Sequence, residues 1–228
     1  MTRVERTFAW AGGALFALSL AACAYWYVAI WADRSAPGGG WAAVAMDVAL
    51  FGIFACHHSL LARERSKRWV ARMLPEGLVR SFYVWTASVL FLAVLVCWQP
   101  VAGDLYDLQG WSAVLPALVQ VLGLWFVVRA VATIDPLELA GIAPESVRGP
   151  LQVTGPYRWV RHPVYFGWVL IVFGTAHMTG TRGAFAVIST MYILVAIPWE
   201  ERALLRVFGA EYAQYRHDVR WRILPYVY

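Results

Sequence analysis

Trp111-Ser-Ala-Val-Leu-Pro-Ala-Leu-Val-Gln-Val-Leu-Gly-Leu-Trp-Phe-Val-Val-Arg-Ala-Val-Ala-Thr133 decides the fold class. Its one charge, Arg129, stands near the end of the run. About 20 consecutive apolar residues suffice to cross a bilayer as a helix, the form that satisfies its own backbone polar groups in hydrocarbon. Other stretches of the chain read the same way: 8–32, 41–61, 81–99, 164–181 and 183–200. The expected architecture is an all-α, polytopic transmembrane helical bundle with about six spans. The first stretch is too long for a signal-peptide core, and no small-residue cleavage site leads from it into a soluble domain, so it counts as a span.

Composition points the same way. Of the 228 residues, 61% are hydrophobic and 14% charged, whereas an ordinary soluble domain has ~45–50% and ~25%. That balance excludes a disordered chain and an ordinary globular one. The 13 Trp, 11 Tyr and 11 Phe suit the boundary between hydrocarbon and water. A net charge of +5 would suggest nucleic acid in a soluble protein, but its placement here describes orientation instead. With six spans and an internal N-terminus, the inside segments hold all of the 19 Lys and Arg except Arg34 and Arg182. Both termini are therefore expected in the cytoplasm. Lys67 is the sole lysine, and the Arg, Ala and Trp usage suggests a GC-rich bacterial genome, hence a bacterial inner membrane. Cys23, Cys56 and Cys97 lie inside apolar runs and form no disulfide framework. The chain reads as one integral membrane domain over 1–228, with four spans in 1–133 and a functional core in 134–228.

The segment 134–163 is punctuated by Pro136, Pro144, Pro150, Pro156 and Pro163, and a connection of that length is usually functional or disordered. It leads into Gly155-Pro-Tyr-Arg-Trp-Val-Arg-His-Pro-Val-Tyr-Phe-Gly167. Pro163 suits the first position of a helix, whose free N–H groups near His162 would accept a carboxylate or phosphate. Gly167, one turn in, leaves the backbone open to a flat ligand. A snorkelling Arg161, an interfacial Tyr165 and a capped helix account for the same residues without a ligand. Glu200 and Glu201 follow Pro198-Trp199 at the end of the last span. Carboxylates at that depth need a partner, and either a cationic ligand or Arg161 across the hairpin would serve. Leu204, Leu205, Phe208, Tyr212 and Tyr215 then fall on one face of an amphipathic helix. His57, His58 and His177 invite a metal or haem, but His57 lies near the inner end of its span and His177 near the outer end of another, so no metal is expected. His58 is read as a polar residue at the rim of the site, and the intramembrane acid Asp47 receives no role.

Arg-His-Pro-x-Tyr-x-Gly at 161–167, followed by Glu-Glu-x-x-Leu-x-x-x-Phe-Gly-x-Glu-Tyr-x-x-Tyr at 200–215, resembles the isoprenylcysteine carboxyl methyltransferase and phospholipid methyltransferase superfamily. The match covers roughly 150–225. His58-Ser-Leu-Leu-Ala-Arg63, Arg80-Ser-Phe-Tyr83 and Gly174-Thr-Ala-His-Met-Thr179 are similar to its bacterial branch, which includes methanethiol S-methyltransferases and proteins related to nitric-oxide reduction. The resemblance implies S-adenosylmethionine bound on the cytoplasmic side by Gln152, Gly155, Tyr157, His162, Pro163, Tyr165, Gly167, Glu200 and Glu201. It also implies that Arg161 and Glu201 border the acceptor as the catalytic pair. Val219-Arg-Trp-Arg-Ile-Leu-Pro225 departs from the family's usual Val-Pro pairing.

The expected function is S-adenosylmethionine-dependent methylation of a small or lipophilic acceptor that diffuses in from the bilayer, foremost a thiol. A prenylcysteine-like carboxylate or a phospholipid amine are the alternative acceptors. A non-catalytic membrane partner of a respiratory or denitrification system is the remaining class. Lipids, but no nucleic acid, are expected as partners.

Overall fold

The computed structural model describes residues 2–33, 38–61, 63–133, 135–143 and 149–228, so Arg34 and Pro144 lie outside the described residues. The elements run α1 (Arg3–Tyr25), α2 (Trp41–Leu61), α3 (Glu64–Val70), α4 (Glu76–Cys97), β1 (Asp104–Asp107), α5 (Val114–Val131), α6 (Pro136–Leu139), α7 (Pro163–Phe173), β2 (His177–Thr179), α8 (Gly180–Phe208) and α9 (Ala210–Asp218). Among the described residues, five helices are long and apolar enough to cross a membrane: Arg3–Ile30, Trp41–Leu61, Gly77–Cys97, Gly110–Val131 and Gly180–Phe208. Their outward faces are apolar. On α5, Leu118 and Val121 are 60% and 64% exposed, a stripe that would be costly to leave in water.

The chain divides into two compact units, one formed by 1–103 and 135–147, the other by 104–134 and 148–228. In this grouping α5 belongs with the C-terminal elements, and α6 with the N-terminal ones.

In the first unit, α1 begins with a capping box. The Thr2 hydroxyl accepts from the Glu5 N–H at 3.2 Å, and the Thr2 N–H donates to the Glu5 carboxylate at 2.7 Å, satisfying two groups that the first turn leaves free. Gly12 leaves room for the Trp85 indole of α4, whose Nε1 donates to Phe8 O at 2.9 Å. Gly13 receives Ile142, so the loop after α6 nests on α1. Gly141, at a φ of +70°, lies against Val84, a turn that a side chain would strain. Asp47, unassigned from sequence, is fully buried and accepts the Gln99 N–H at 2.8 Å. It thereby pairs a backbone donor just past the end of α4. His58 Nδ1 lies 2.8 Å from the Tyr83 hydroxyl, which ties α2 to α4.

In the second unit, α7 runs antiparallel to α5. Phe126 meets Phe166, and the Gln120 side-chain amide donates to Ile171 O at 3.0 Å. The stretch 164–181 is not one membrane-length helix as expected. With 11 residues, α7 rises about 16 Å at ~1.5 Å per residue, about half the ~30 Å hydrocarbon thickness. The helix stops because β1 captures the following chain: Tyr106 pairs with Met178 and Asp107 with His177. His177 Nε2 lies 2.8 Å from Asp104 Oδ1, and buried Arg182 donates to His177 O at 2.6 Å. The stretch 203–215, expected as one amphipathic helix, is also broken. Gly209, with φ +56° and ψ −124°, separates α8 from α9 in a conformation that only glycine adopts readily.

Gly167 does not open onto a ligand. A Cβ there would lie 2.5 Å from Gly123 O and 2.7 Å from Val127 Cγ2, so α5 fills the space read from sequence as free. Gly167→Ala is accordingly expected to lower stability by about 1–3 kcal/mol through overpacking. Gly52→Ala, which adds a Cβ in open space, should not. Thermal unfolding of the two detergent-solubilised variants checks this.

Candidate active site

Three separate pieces of chain meet in the second unit: the segment 155–163, the end of α8 with α9, and the tail from Val219. Gly155, at a φ of +60°, turns the chain into a short 3-10 helix that ends at Arg158. The next residues are then tied to the tail by backbone pairing. Arg161 N–H donates to Trp221 O and His162 N–H to Arg222 O, each at 2.9 Å. From α9, the Tyr215 hydroxyl donates to Tyr157 O at 2.8 Å.

Side chains close the junction. Arg161 Nε donates to Glu201 Oε1 at 2.7 Å, and Arg161 Nη1 donates to both Val219 O and Arg220 O at 2.7 Å. Glu201 is only 3% exposed. Its other oxygen faces Arg222 Nε at 3.4 Å and Arg216 Nε at 3.9 Å. Arg161 across the hairpin, one of the two partners open from sequence for this acid, is thus in place. His162 sits between the paired acids, with Nδ1 3.6 Å from Glu200 Oε2 and Nε2 3.5 Å from Glu201 Oε1. Its ring stacks on Tyr165 at 5.5 Å, and the Tyr165 hydroxyl donates to Glu200 Oε2 at 2.9 Å. A polar line thus runs from Tyr165 through Glu200, His162 and Glu201 to the arginines.

The charge balance is one-sided. Arg161, Arg216 and Arg222 surround Glu201, and with Arg220, Trp221 and Tyr228 they line a cavity of about 530 Å³. Small-molecule sites span about 300–1,000 Å³. Guanidinium groups in such surplus select an anionic group, carboxylate or phosphate. Beside the cavity, His162 Nε2 and Arg222 Nε are buried without a well-directed hydrogen bond, and the Tyr212 hydroxyl is buried without a partner, among the described residues. Polar atoms left in that state normally have a ligand or water to satisfy them.

The structure brings Arg161, His162, Tyr165, Glu200 and Glu201 together, with Tyr157 tied in through its carbonyl. Pro163 is buried at the first position of α7. Gly155 shapes the turn, and Gln152 is half-buried nearby in sequence. Sequence reading missed Arg216, Arg222, Trp221 and Tyr228. The signal available was the Arg-Trp-Arg alternation at 220–222, which stands out only once the tail is known to fold back.

Removing one partner of a buried ion pair costs about 3–5 kcal/mol. Arg161→Ala also strips two tail carbonyls of their donor. It is therefore expected to release the tail to proteolysis beyond Val219 and to lower stability by that amount. Limited proteolysis with mass analysis checks this. Burial, then the nearby Glu201 carboxylate, pushes the Tyr212 phenol up to about 12. A raised folded-state value stabilises below the ordinary phenol pKa of about 10 and is lost as pH rises from there toward 12. Tyr212→Phe should flatten the alkaline fall in melting temperature above pH 10 and cost little at pH 7.

A family model described as phospholipid methyltransferase matches residues 111–211, which hold Arg161, His162, Tyr165, Glu200 and Glu201. Among similar proteins are methanethiol S-methyltransferases of Mycobacterium tuberculosis, 36% identical over 81% of this chain and 79% of the relative, and of Crocosphaera subtropica, 33% identical over 81% and 76%. That of Pseudomonas deceptionensis is 34% identical over 81% of this chain and 74% of its own. The chain belongs to the family of membrane methyltransferases that these proteins form. No solved structure matches it.

Proposed function

We propose that this protein transfers a methyl group from S-adenosylmethionine to a small or lipophilic thiol at the cytoplasmic face of the membrane. The observation that carries the reading is the surplus of guanidinium around Glu201, facing one cavity. The groups present fit the cofactor. Arg216 and Arg222 would hold its carboxylate, and Trp221 and Tyr228 offer flat faces to its adenine. Glu200, whose side chain is 43% exposed, lies on the other side of His162 from that cavity. His162 Nε2 and Arg222 Nε are the buried atoms such a ligand would satisfy.

When bound, S-adenosylmethionine supplies an electrophilic methyl, whose bond to the sulfonium breaks as the acceptor sulfur bonds to carbon. The chain itself contributes alignment and charge. A thiolate is the nucleophile, and adjacent guanidinium groups favour it over the thiol, its proton passing to water. Arg161 is pinned through Nε and Nη1, so it holds the tail in place and acts as a positioning residue rather than a mobile one. Glu201 keeps the arginines from repelling one another.

The relatives' printed name, methanethiol S-methyltransferase, supports a thiol acceptor. An acceptor carboxylate, as in prenylcysteine-like compounds, would also suit the arginines and is the second reading. A phospholipid amine would bring another cation to the same groups. The basic residues of α9 and the tail support a cytoplasmic site, and the exposed apolar stripe of α5 supports acceptor entry from the bilayer.

Labelled-methyl transfer from S-adenosylmethionine to methanethiol, longer thiols, a prenylcysteine analogue and phosphatidylethanolamine tests the proposal. Transfer to thiols is expected. Arg216→Gln and Arg222→Gln should each raise the cofactor KM about tenfold, as loss of a charge-assisted hydrogen bond does, with a smaller change in kcat. No transfer to any acceptor, with no S-adenosylhomocysteine bound at millimolar concentration, would overturn it in favour of a non-catalytic role.

A further inference from the structure

Arg220 and Trp221 form a wall with a cavity on each side. The second cavity, of about 500 Å³, is lined by Arg158, Trp159, Arg220, Trp221 and Tyr226, with Asp218 as its one acid. Asp218 is already engaged: Gln214 Nε2 donates to it at 2.9 Å, and His217 Nδ1 lies 3.3 Å away. The guanidinium groups of Arg158 and Arg220 have no ion-pair partner among the described residues.

Its rim is aromatic and exposed. Trp159 is 58% and Tyr226 87% exposed, and the Trp221 and Tyr226 rings lie 5.3 Å apart. Tyr226 holds a φ of +66°, in the left-handed region that bulky side chains avoid. That backbone turns an apolar ring outward at the tip of the tail. Trp159 also leads directly to the membrane-length helix α5. Its ring is 6.3 Å from Trp125 and 5.7 Å from Phe126, and Trp125 is 44% exposed on α5. The rim of the cavity is thus continuous with the apolar outer face of a candidate span.

Unpaired arginines under an aromatic rim that runs onto lipid-facing surface fit an amphiphile with an anionic head. We propose that this second cavity binds the phosphate headgroup of an anionic membrane phospholipid. Arg158 and Arg220 hold the phosphate, and Trp159 and Tyr226 flank the glycerol and the first acyl carbons. A soluble phosphate compound would engage the arginines but leave the rim in water. The site does not need the methyltransferase reading, because its test is made on protein without cofactor.

Native mass spectrometry of the full chain, titrated in mild detergent with phosphatidylglycerol or phosphatidylcholine of the same acyl composition, tests the proposal. One phosphatidylglycerol should be retained about 25-fold more tightly than phosphatidylcholine, at roughly fivefold per arginine. Arg158→Gln should cut that preference about fivefold, while Arg206→Gln, an exposed arginine of α8 outside the cavity, should leave it unchanged. Should Arg158→Gln fail to fold, Tyr226→Ala on the exposed tail is expected to weaken retention of phosphatidylglycerol. Equal retention of the two lipids, or equal loss in Arg158→Gln and Arg206→Gln, would overturn the assignment. So would displacement of the lipid by millimolar glycerol 3-phosphate, which would make the site one for a soluble phosphate.

Discussion

Glu201 is a carboxylate near the end of a membrane-length helix, almost wholly out of water, and the second unit is arranged around neutralising it. An ion desolvated to that degree costs several kcal/mol unless opposite charge and hydrogen bonds return the loss. Arg161 supplies both, and in doing so turns its remaining edge to the carbonyls of Val219 and Arg220. One guanidinium thereby joins the segment before α7, the end of α8 and the tail. Arg216 and Arg222 then gather on the free oxygen. Their charge exceeds what one carboxylate can cancel, and the excess faces the cavity. Fold stability and ligand preference have the same origin here, a single acid that had to be paired.

The helical architecture was largely legible because apolar length is a local property. Each of the five long helices can be read from its own residues, as can the capping box at Thr2 and Glu5. What was not legible depended on distant partners. Nothing in Gly174-Thr-Ala-His-Met-Thr179 announces that Asp104–Asp107 will capture it as a strand, so α7 reads as longer than it is. Gly167 likewise looks like an opening for a ligand until Gly123 of α5 is placed against it.

Within the site, Arg161, Glu200 and Glu201 are legible because charges are scarce in this chain and each one stands out, whereas His162 and Tyr165 enter through the resemblance of the motif around them. The tail escaped notice because Arg220, Trp221 and Arg222 look like an ordinary basic membrane-proximal segment. Their meaning comes from the backbone pairing that brings 221 and 222 onto 161 and 162. The roles differ accordingly: sequence offered Arg161 to the acceptor, whereas geometry gives it chiefly to the fold.

The clip between β1 and β2 bears on biogenesis. Asp104 has its partner His177 some 73 residues further on, and at about 5–20 residues per second a ribosome needs ~4–15 s to supply it. For the first part of that interval α5 has been made but α7, which packs against it, has not. The helices α1, α2 and α4 meanwhile have one another to pack against, and only the loop after α6 has still to join them. The second unit must therefore assemble late, with α5 made before α7 and β2 arrive to complete it.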